Sequence, residues 1–442
     1  MTIIFEGSDL IVHETEGVTD YAVITFGGAD QEHLARDTFF AEKPLVHNSI
    51  KGIGVTTRQN LWFLSPEAEA VARLINDRLA HISNRIIIGY SMGAHAAMTW
   101  SKKLNATTVF SMSPKYSVDP DMCFVEKDFI EKYFRPELGG MHIQDEKLSG
   151  NIFIAYDPYH SHDTSHVNAI IEKVKYPHIH AIKSFFSNHD VPRAFTGRKK
   201  FLRLVEALAY GSVQDVHRVF SYERRHSLHN LSALFRHYIA KQPERAFKLI
   251  TSDPVFNAEN LKPIFADALS LGRLSFNLSQ KGRMKEASIC RNLPFLQTCF
   301  RSSLTKAQAH QAEFSSFVDA PPGYHGDLLA YDIANRTFIG QDLLAASTLR
   351  PFVTLAPCAG TVLLKVMIGS ESLYLYEEEE QILMSDKPRP SGFSLERSSN
   401  GFHHHIKSRI GYLSSLPAGQ MSLNAAHRMN WEEFSVPTLT AS

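Results

Sequence analysis

Cysteine is scarce in this chain: four occur in 442 residues, at Cys123, Cys290, Cys299 and Cys358, and no two form a C-x-x-C pair. That scarcity excludes a disulfide framework and predicts reduced thiols in a cytoplasmic setting. Net charge is also missing. Lys and Arg together number 46, as do Asp and Glu, so the formal charge is +0. Composition therefore gives no electrostatic argument for a nucleic-acid partner. No apolar run approaches the roughly 18 residues that a membrane span requires. The start, Met1-Thr2-Ile3-Ile4-Phe5-Glu6, has neither the basic segment nor the apolar core of an export signal. What the chain does have is apolar residues at 44% against 21% charged, enough to bury globular cores. Its length exceeds one ordinary core and predicts two or three domains.

The most informative segment is RIIIGYSMGAHAAMTW, residues 85–100. A short apolar run predicts a strand, Gly89-Tyr90-Ser91-Met92-Gly93 forms a G-x-S-x-G turn, and the small residues after it suit a helix. Glycines on both sides of the serine remove the Cβ atoms that would collide as the turn tightens, which pushes the Ser91 hydroxyl into the open. Ala94, Ala96 and Ala97 let the helix lie close to the strands, its first amides aimed over Ser91.

A serine nucleophile needs a base, and the base an orienting acid. In hydrolases that use this turn the chain order is serine, acid, histidine. Residues 151–156, NIFIAY, predict a buried strand closed by Asp157-Pro158, which sets a carboxylate at the carboxyl end of a strand. A helix is predicted from Thr164 to Val174 and a further strand over residues 180–186. The loop after it presents Asn188-His189-Asp190, and His189 is the candidate base. Asp157 is the favoured acid and Asp163 the alternative, because Asp163 directly precedes the helical pattern and has a ready role as its N-cap. His160, His162 and His166 crowd the same loop, but their spacing gives no metal-site signature; no metal and no cofactor are expected.

Acyl chemistry also requires two amide donors for the oxyanion. Met92, next to the nucleophile, supplies one. Residues 21–26, YAVITF, predict a strand running into Gly27-Gly28-Ala29-Asp30, and Gly28 or Ala29 would supply the other.

With these residues in place, the segment from 1 to about 200 resembles an α/β-hydrolase: Phe26-Gly27-Gly28 as oxyanion loop, Gly89-Tyr90-Ser91-Met92-Gly93 as nucleophile turn, and Asp157 and His189 completing a triad. The resemblance implies a mostly parallel sheet with helices on both faces. It also implies ester, thioester or amide cleavage, or acyl transfer, through a serine-bound acyl intermediate and without a cofactor. No large lid insertion is read between serine and acid, which favours a small acyl group over a long-chain lipid. Ser113-Pro114, after the strand at 108–112, marks a loop expected to line the acyl pocket.

From residue 201 to about 310 the spacing of apolar residues predicts helices, among them stretches at 201–210, 213–222, 228–241, 243–250 and 261–272. Leu271-Gly272-Arg273 and the run Lys281 to Ala287 resemble tetratricopeptide-like hairpins without a regular period. Residues 311–442 change to short strand-like runs divided by Gly, Pro and Ser, the pattern of an all-β module. Gly411-Tyr412-Leu413-Ser414-Ser415 and Asn430-Trp431-Glu432-Glu433-Phe434 resemble β-trefoil repeats of the lectin or fascin kind. That likeness implies contact with a carbohydrate or a protein, while Trp431 and Phe434 have a ready place in a barrel core. In His403-His404-His405, alternation puts His403 and His405 on one face of a solvated strand. The expected substrate is a small-molecule or glycan-linked acyl ester.

Overall fold

The structure, a computed structural model, describes residues 1–123, 125–252, 269–291, 320, 323, 328–341, 351–358, 361–368, 371–399, 403–415, 421–425 and 433–434. The chain divides into two compact units, Met1–Ala233 and Leu234–Ser442.

The first unit is built on eight strands: β1 (Thr2–Glu6), β2 (Leu10–Thr15), β3 (Tyr21–Phe26), β4 (Lys51–Thr57), β5 (Asn84–Tyr90), β6 (Thr108–Met112), β7 (Asn151–Tyr156) and β8 (Ile179–Lys183). They join in one sheet in the order β1-β2-β4-β3-β5-β6-β7-β8. β2 runs antiparallel to β1 and β4, and every pairing from β4 to β8 is parallel. The helices are α1 (Glu42–His47), α2 (Ala68–Arg78), α3 (Met92–Thr99), α4 (Lys127–Tyr133), α5 (Ser161–Lys173), α6 (Arg198–Tyr210) and α7 (Val213–Arg225).

Both faces of the sheet are covered, and the period of two along each strand shows how. In β3, Ala22, Ile24 and Phe26 pack with Val71 and Ile75 of α2, Met98 of α3 and Ile170 of α5. Tyr21 and Val23 point the other way, into a cluster with Leu45 of α1, Leu204 of α6 and Phe220 of α7. The three isoleucines of β5 split likewise, Ile87 to the first face and Ile86 and Ile88 to the second. A continuous apolar run is what a strand covered on both sides requires. This is an α/β-hydrolase-like fold. Its parallel strands place their carboxyl ends along one edge, and the loops after β3, β5, β6, β7 and β8 gather there. Between β6 and β7 the chain inserts α4, whose Lys132 and Tyr133 both reach Asp30 in the loop after β3, at 2.6 and 2.8 Å.

Helix α8 (Leu228–Lys241) crosses the boundary between the units. The second unit continues with α9 (Pro243–Ser252), α10 (Leu269–Gln280) and α11 (Met284–Arg291). Of the stretch expected to be helical over 261–272, residues 261–268 lie outside those described. The turn between α10 and α11 holds Gly282 at φ 73°, a left-handed conformation that glycine adopts without strain.

Among the described residues, three antiparallel sheets follow. β9 (Leu328–Asp332) pairs with β10 (Thr337–Gln341). β11 (Val353–Cys358), β12 (Thr361–Ile368), β13 (Glu371–Glu378) and β14 (Gln381–Ser385) form a four-stranded meander. β15 (Ser394–Arg397), β16 (His404–Lys407), β17 (Tyr412–Ser415), β18 (Met421–Ala425) and β19 (Glu433–Phe434) form the third, in which β19 pairs with β16.

Among the described residues from 320 onward the region is all-β, and the trefoil likeness goes no further than these sheets. Phe434 is fully buried in their core, and Trp431 lies outside the described residues. The expectation of a solvated histidine strand is corrected. His403 is fully buried, 2.7 Å from Ser279 Oγ and 3.2 Å from Glu433 Oε2, and His405 is buried as well.

Candidate active site

β5 ends at Tyr90 and α3 begins at Met92, so Ser91 is the whole of the turn, held at φ 55° and ψ −116°. Both flanking glycines are forced by close approach. A Cβ on Gly89 would lie 2.1 Å from the carbonyl oxygen of Gly93, and one on Gly93 2.2 Å from that of Phe26. The Ser91 amide donates to Met112 O at 2.9 Å. With its backbone pinned, the partly exposed serine side chain stands above the sheet.

His189 lies in the loop after β8, and its Nε2 is 3.0 Å from Ser91 Oγ. Its Nδ1 is 3.0 and 2.9 Å from the two carboxylate oxygens of Asp163. This network sets the tautomer: Nδ1–H donates to the carboxylate, leaving the Nε2 lone pair for the serine hydroxyl.

The favoured acid, Asp157, is not against the imidazole. Its carboxylate accepts the amides of Tyr159 at 2.9 Å and Asn188 at 2.8 Å. It thus closes its own turn and ties down the residue before His189. The alternative, Asp163, takes the place beside the ring. The reason is where α5 starts. It begins at Ser161, three residues before the expected Thr164, and its N-cap is His160, whose Nδ1 lies 3.3 Å from the Asp163 amide. Asp163 is therefore inside the first turn and its carboxylate is directed inward.

Asp163 is fully buried, and its second strong partner was not anticipated: Lys115 Nζ at 2.7 Å, with 1% of the lysine side chain exposed. Lys115 follows Ser113-Pro114, so the loop expected to line an acyl pocket delivers a cation to Asp163. Ser113 Oγ also donates to His189 O at 3.3 Å. Burial works against the charged form of Asp163. Hydrogen bonds from His160 and His189 and the Lys115 ammonium outweigh it, holding the carboxyl well below its ordinary range. Burial in turn lowers Lys115, and Asp163 opposes that shift.

His160 Nδ1 is also 3.4 Å from Asp163 Oδ2. One nitrogen cannot accept the amide and donate to the carboxylate at once, so ring protonation selects between the two. Its hydrogen bond to Asp163 raises the His160 pKa, and burial opposes this. Burial pushes His162 down to about 4 and His166 to about 2, and their Nε2 atoms meet at 3.1 Å. These two are neutral helix-face histidines. Among the described residues, His160, Asp163 and His189 are the group whose ligating atoms converge, all within 4.8 Å of one another.

Gly28 comes up against the serine turn: a Cβ there would be 3.2 Å from the Tyr90 ring and 3.7 Å from Ser91 Cβ. Met92 is buried at the start of α3, and Ala29 is partly buried against the core. The Asp30 amide is already engaged by Glu32 Oε1 at 3.2 Å and Asn60 Oδ1 at 3.4 Å. Gly27 and Gly28 border a cavity of about 260 Å3 that Phe40 and Phe63 also line. Tyr90 lies beside the site, its ring tilted against that of His189 at 5.3 Å and its hydroxyl 3.2 Å from Asp190 Oδ1.

No family model and no curated protein sequence matches this chain. Solved structures do resemble it. A 2,6-dihydroxy-pseudo-oxynicotine hydrolase is 15% identical, with 46% of this chain and 64% of that chain covered and a TM-score of 0.33. The capsule O-acetyltransferase of Neisseria meningitidis serogroup A is 14% identical over 46% of this chain and 93% of that chain, with a TM-score of 0.32. A monoacylglycerol lipase of Paleococcus ferrophilus is 13% identical over 46% and 99%, with a TM-score of 0.30. This chain spans less than two thirds of the first of these proteins. No helix among the described residues is long and apolar enough to cross a membrane.

Proposed function

We propose that the first unit is a serine acyl hydrolase acting through Ser91, His189 and Asp163. The observation that carries this reading is the unbroken line from Ser91 Oγ to His189 Nε2 at 3.0 Å and from His189 Nδ1 to Asp163 at 2.9 Å. In this mechanism His189 takes the serine proton as Oγ attacks the acyl carbon, and Asp163 stabilises the imidazolium that results. The amides of Met92 and of Gly28 or Ala29 receive the oxyanion. His189 then gives its proton to the leaving group, and water, activated by the same imidazole, releases the acid.

The substrate class we assign is a small acyl ester, with a glycan-linked ester as its specific form, handled in the cytoplasm. A carbohydrate or protein contact by the C-terminal sheets belongs to the same proposal. Transfer of the acyl group to a saccharide hydroxyl in place of water is the second reading, since the same three residues catalyse both. The test is a screen of wild type and Ser91→Ala against short acyl esters of phenols and sugars, with and without added saccharide. Hydrolysis lost in the variant supports the proposal. Acylated saccharide as the main product selects transfer, and equal rates for both proteins overturn it.

A further inference from the structure

A second cavity, of about 450 Å3, opens on the face of the sheet covered by α1 and α6. Its floor is core: Ile88 of β5, Met112 of β6, Phe195, and Phe201 and Leu204 of α6 are all buried side chains that nonetheless line it. Its mouth carries Lys43, His47, Arg193 and Arg198. No carboxylate occurs among the described residues that line it. Met112, in its wall, is the residue whose carbonyl accepts the Ser91 amide.

We propose that this cavity binds a single-chain anionic amphiphile, its chain against the apolar floor and its charged end among Lys43, Arg193 and Arg198. The buried side chains of the floor face an open cavity, and covering that apolar surface with an apolar chain removes it from water, so an apolar occupant is favoured. The volume lies within the range of small-ligand pockets. The sign of the mouth selects the head group. Asp190 pairs with Arg193 at 3.1 Å, while Arg198 Nε donates to the neutral Asn48 side chain at 3.1 Å. Lys43 and Arg198 are both exposed and are therefore suited to meet an anion in water. Its lining includes none of Ser91, His189 and Asp163, so the proposal does not rest on the hydrolase reading, although Phe40 lines both this cavity and the one beside Gly28.

The test uses the full chain carrying Ser91→Ala, titrated calorimetrically with decanoate, decanol and decyltrimethylammonium below their micelle concentrations. Decanoate is expected to bind one to one, at least tenfold more tightly than the cation, and to gain about fourfold per methylene relative to octanoate. Lys43→Glu with Arg198→Glu should reverse the order of decanoate and decyltrimethylammonium while leaving decanol binding unchanged, which also reports that the fold is intact. Absence of saturable decanoate binding, an order indifferent to the charge reversal, or inorganic phosphate binding as tightly as decanoate would each overturn the proposal.

Discussion

Lys115 and Asp163 form an ion pair of 2.7 Å with almost no solvent access to either side chain, and the same carboxylate holds His189. Removing one partner leaves a buried charge uncompensated, at a cost of roughly 3–5 kcal/mol. Lys115→Met is therefore expected to lower stability by that amount. It should also move the acid limb of the activity profile to higher pH, because a cation that shares Asp163 Oδ1 with the imidazole, and so opposes a second positive charge there, is gone. Lys115→Arg should restore part of both. A profile unchanged in Lys115→Met would show that the lysine is only structural.

The two aspartates separate cleanly. Asp163→Asn is expected to cut kcat by about 10^3–10^4, since the amide favours the wrong imidazole tautomer. Asp157→Asn leaves a single acceptor oxygen for the two amides, of Tyr159 and Asn188, that the carboxylate now accepts at 2.9 and 2.8 Å, and is expected to cost about 10-fold through a loosened loop. Rates for the two purified variants on one ester decide the order.

The site was legible in the sequence to the extent that local chemistry determined it. The glycines around Ser91 and the apolar runs of β3, β5 and β7 carry their own strand-turn-helix instructions, and His189 follows from chain order. The placement of Asp163 beside the imidazole was not legible, because helix starts are weakly encoded. His160 is an unusual N-cap, and aspartate, the type three positions on, is the more familiar one. A signal was present in the buried face of α5, where His162, His166 and Asp163 share the inward side. Lys115 had no local signal at all. Its pairing joins residues 48 positions apart, and only the parallel order of β6 and β7 brings them together. In the second unit, turn residues revealed antiparallel strands but not how the sheets combine.

Acid stability should reflect the buried histidines. His95 is fully buried in α3, and burial brings it down to about 4 from an ordinary 6.5. Below pH 6.5 the unfolded chain binds this proton and the folded one does not, so stability falls as pH drops from 6.5 towards 4. For His95 alone the loss approaches about 3 kcal/mol. Thermal melts of His95→Gln should show a shallower slope in that window than wild type; parallel slopes would contradict the assignment.

Packing at the serine turn predicts that Gly93→Ala destabilises by roughly 1–3 kcal/mol, because the added methyl would meet the backbone oxygens of Phe26 and Gly27. Neither is the end of a flexible side chain. Denaturant unfolding with an unchanged midpoint would refute this.

The hydrolase proposal stands on Ser91 being a nucleophile activated by His189. The most direct measurement is intact-mass analysis after incubation with a fluorophosphonate, followed by peptide mapping. One adduct per chain is expected, located on Ser91, strongly slowed in His189→Ala and absent in Ser91→Ala. A folded wild-type protein that takes up no label, or label that persists in Ser91→Ala, would contradict it.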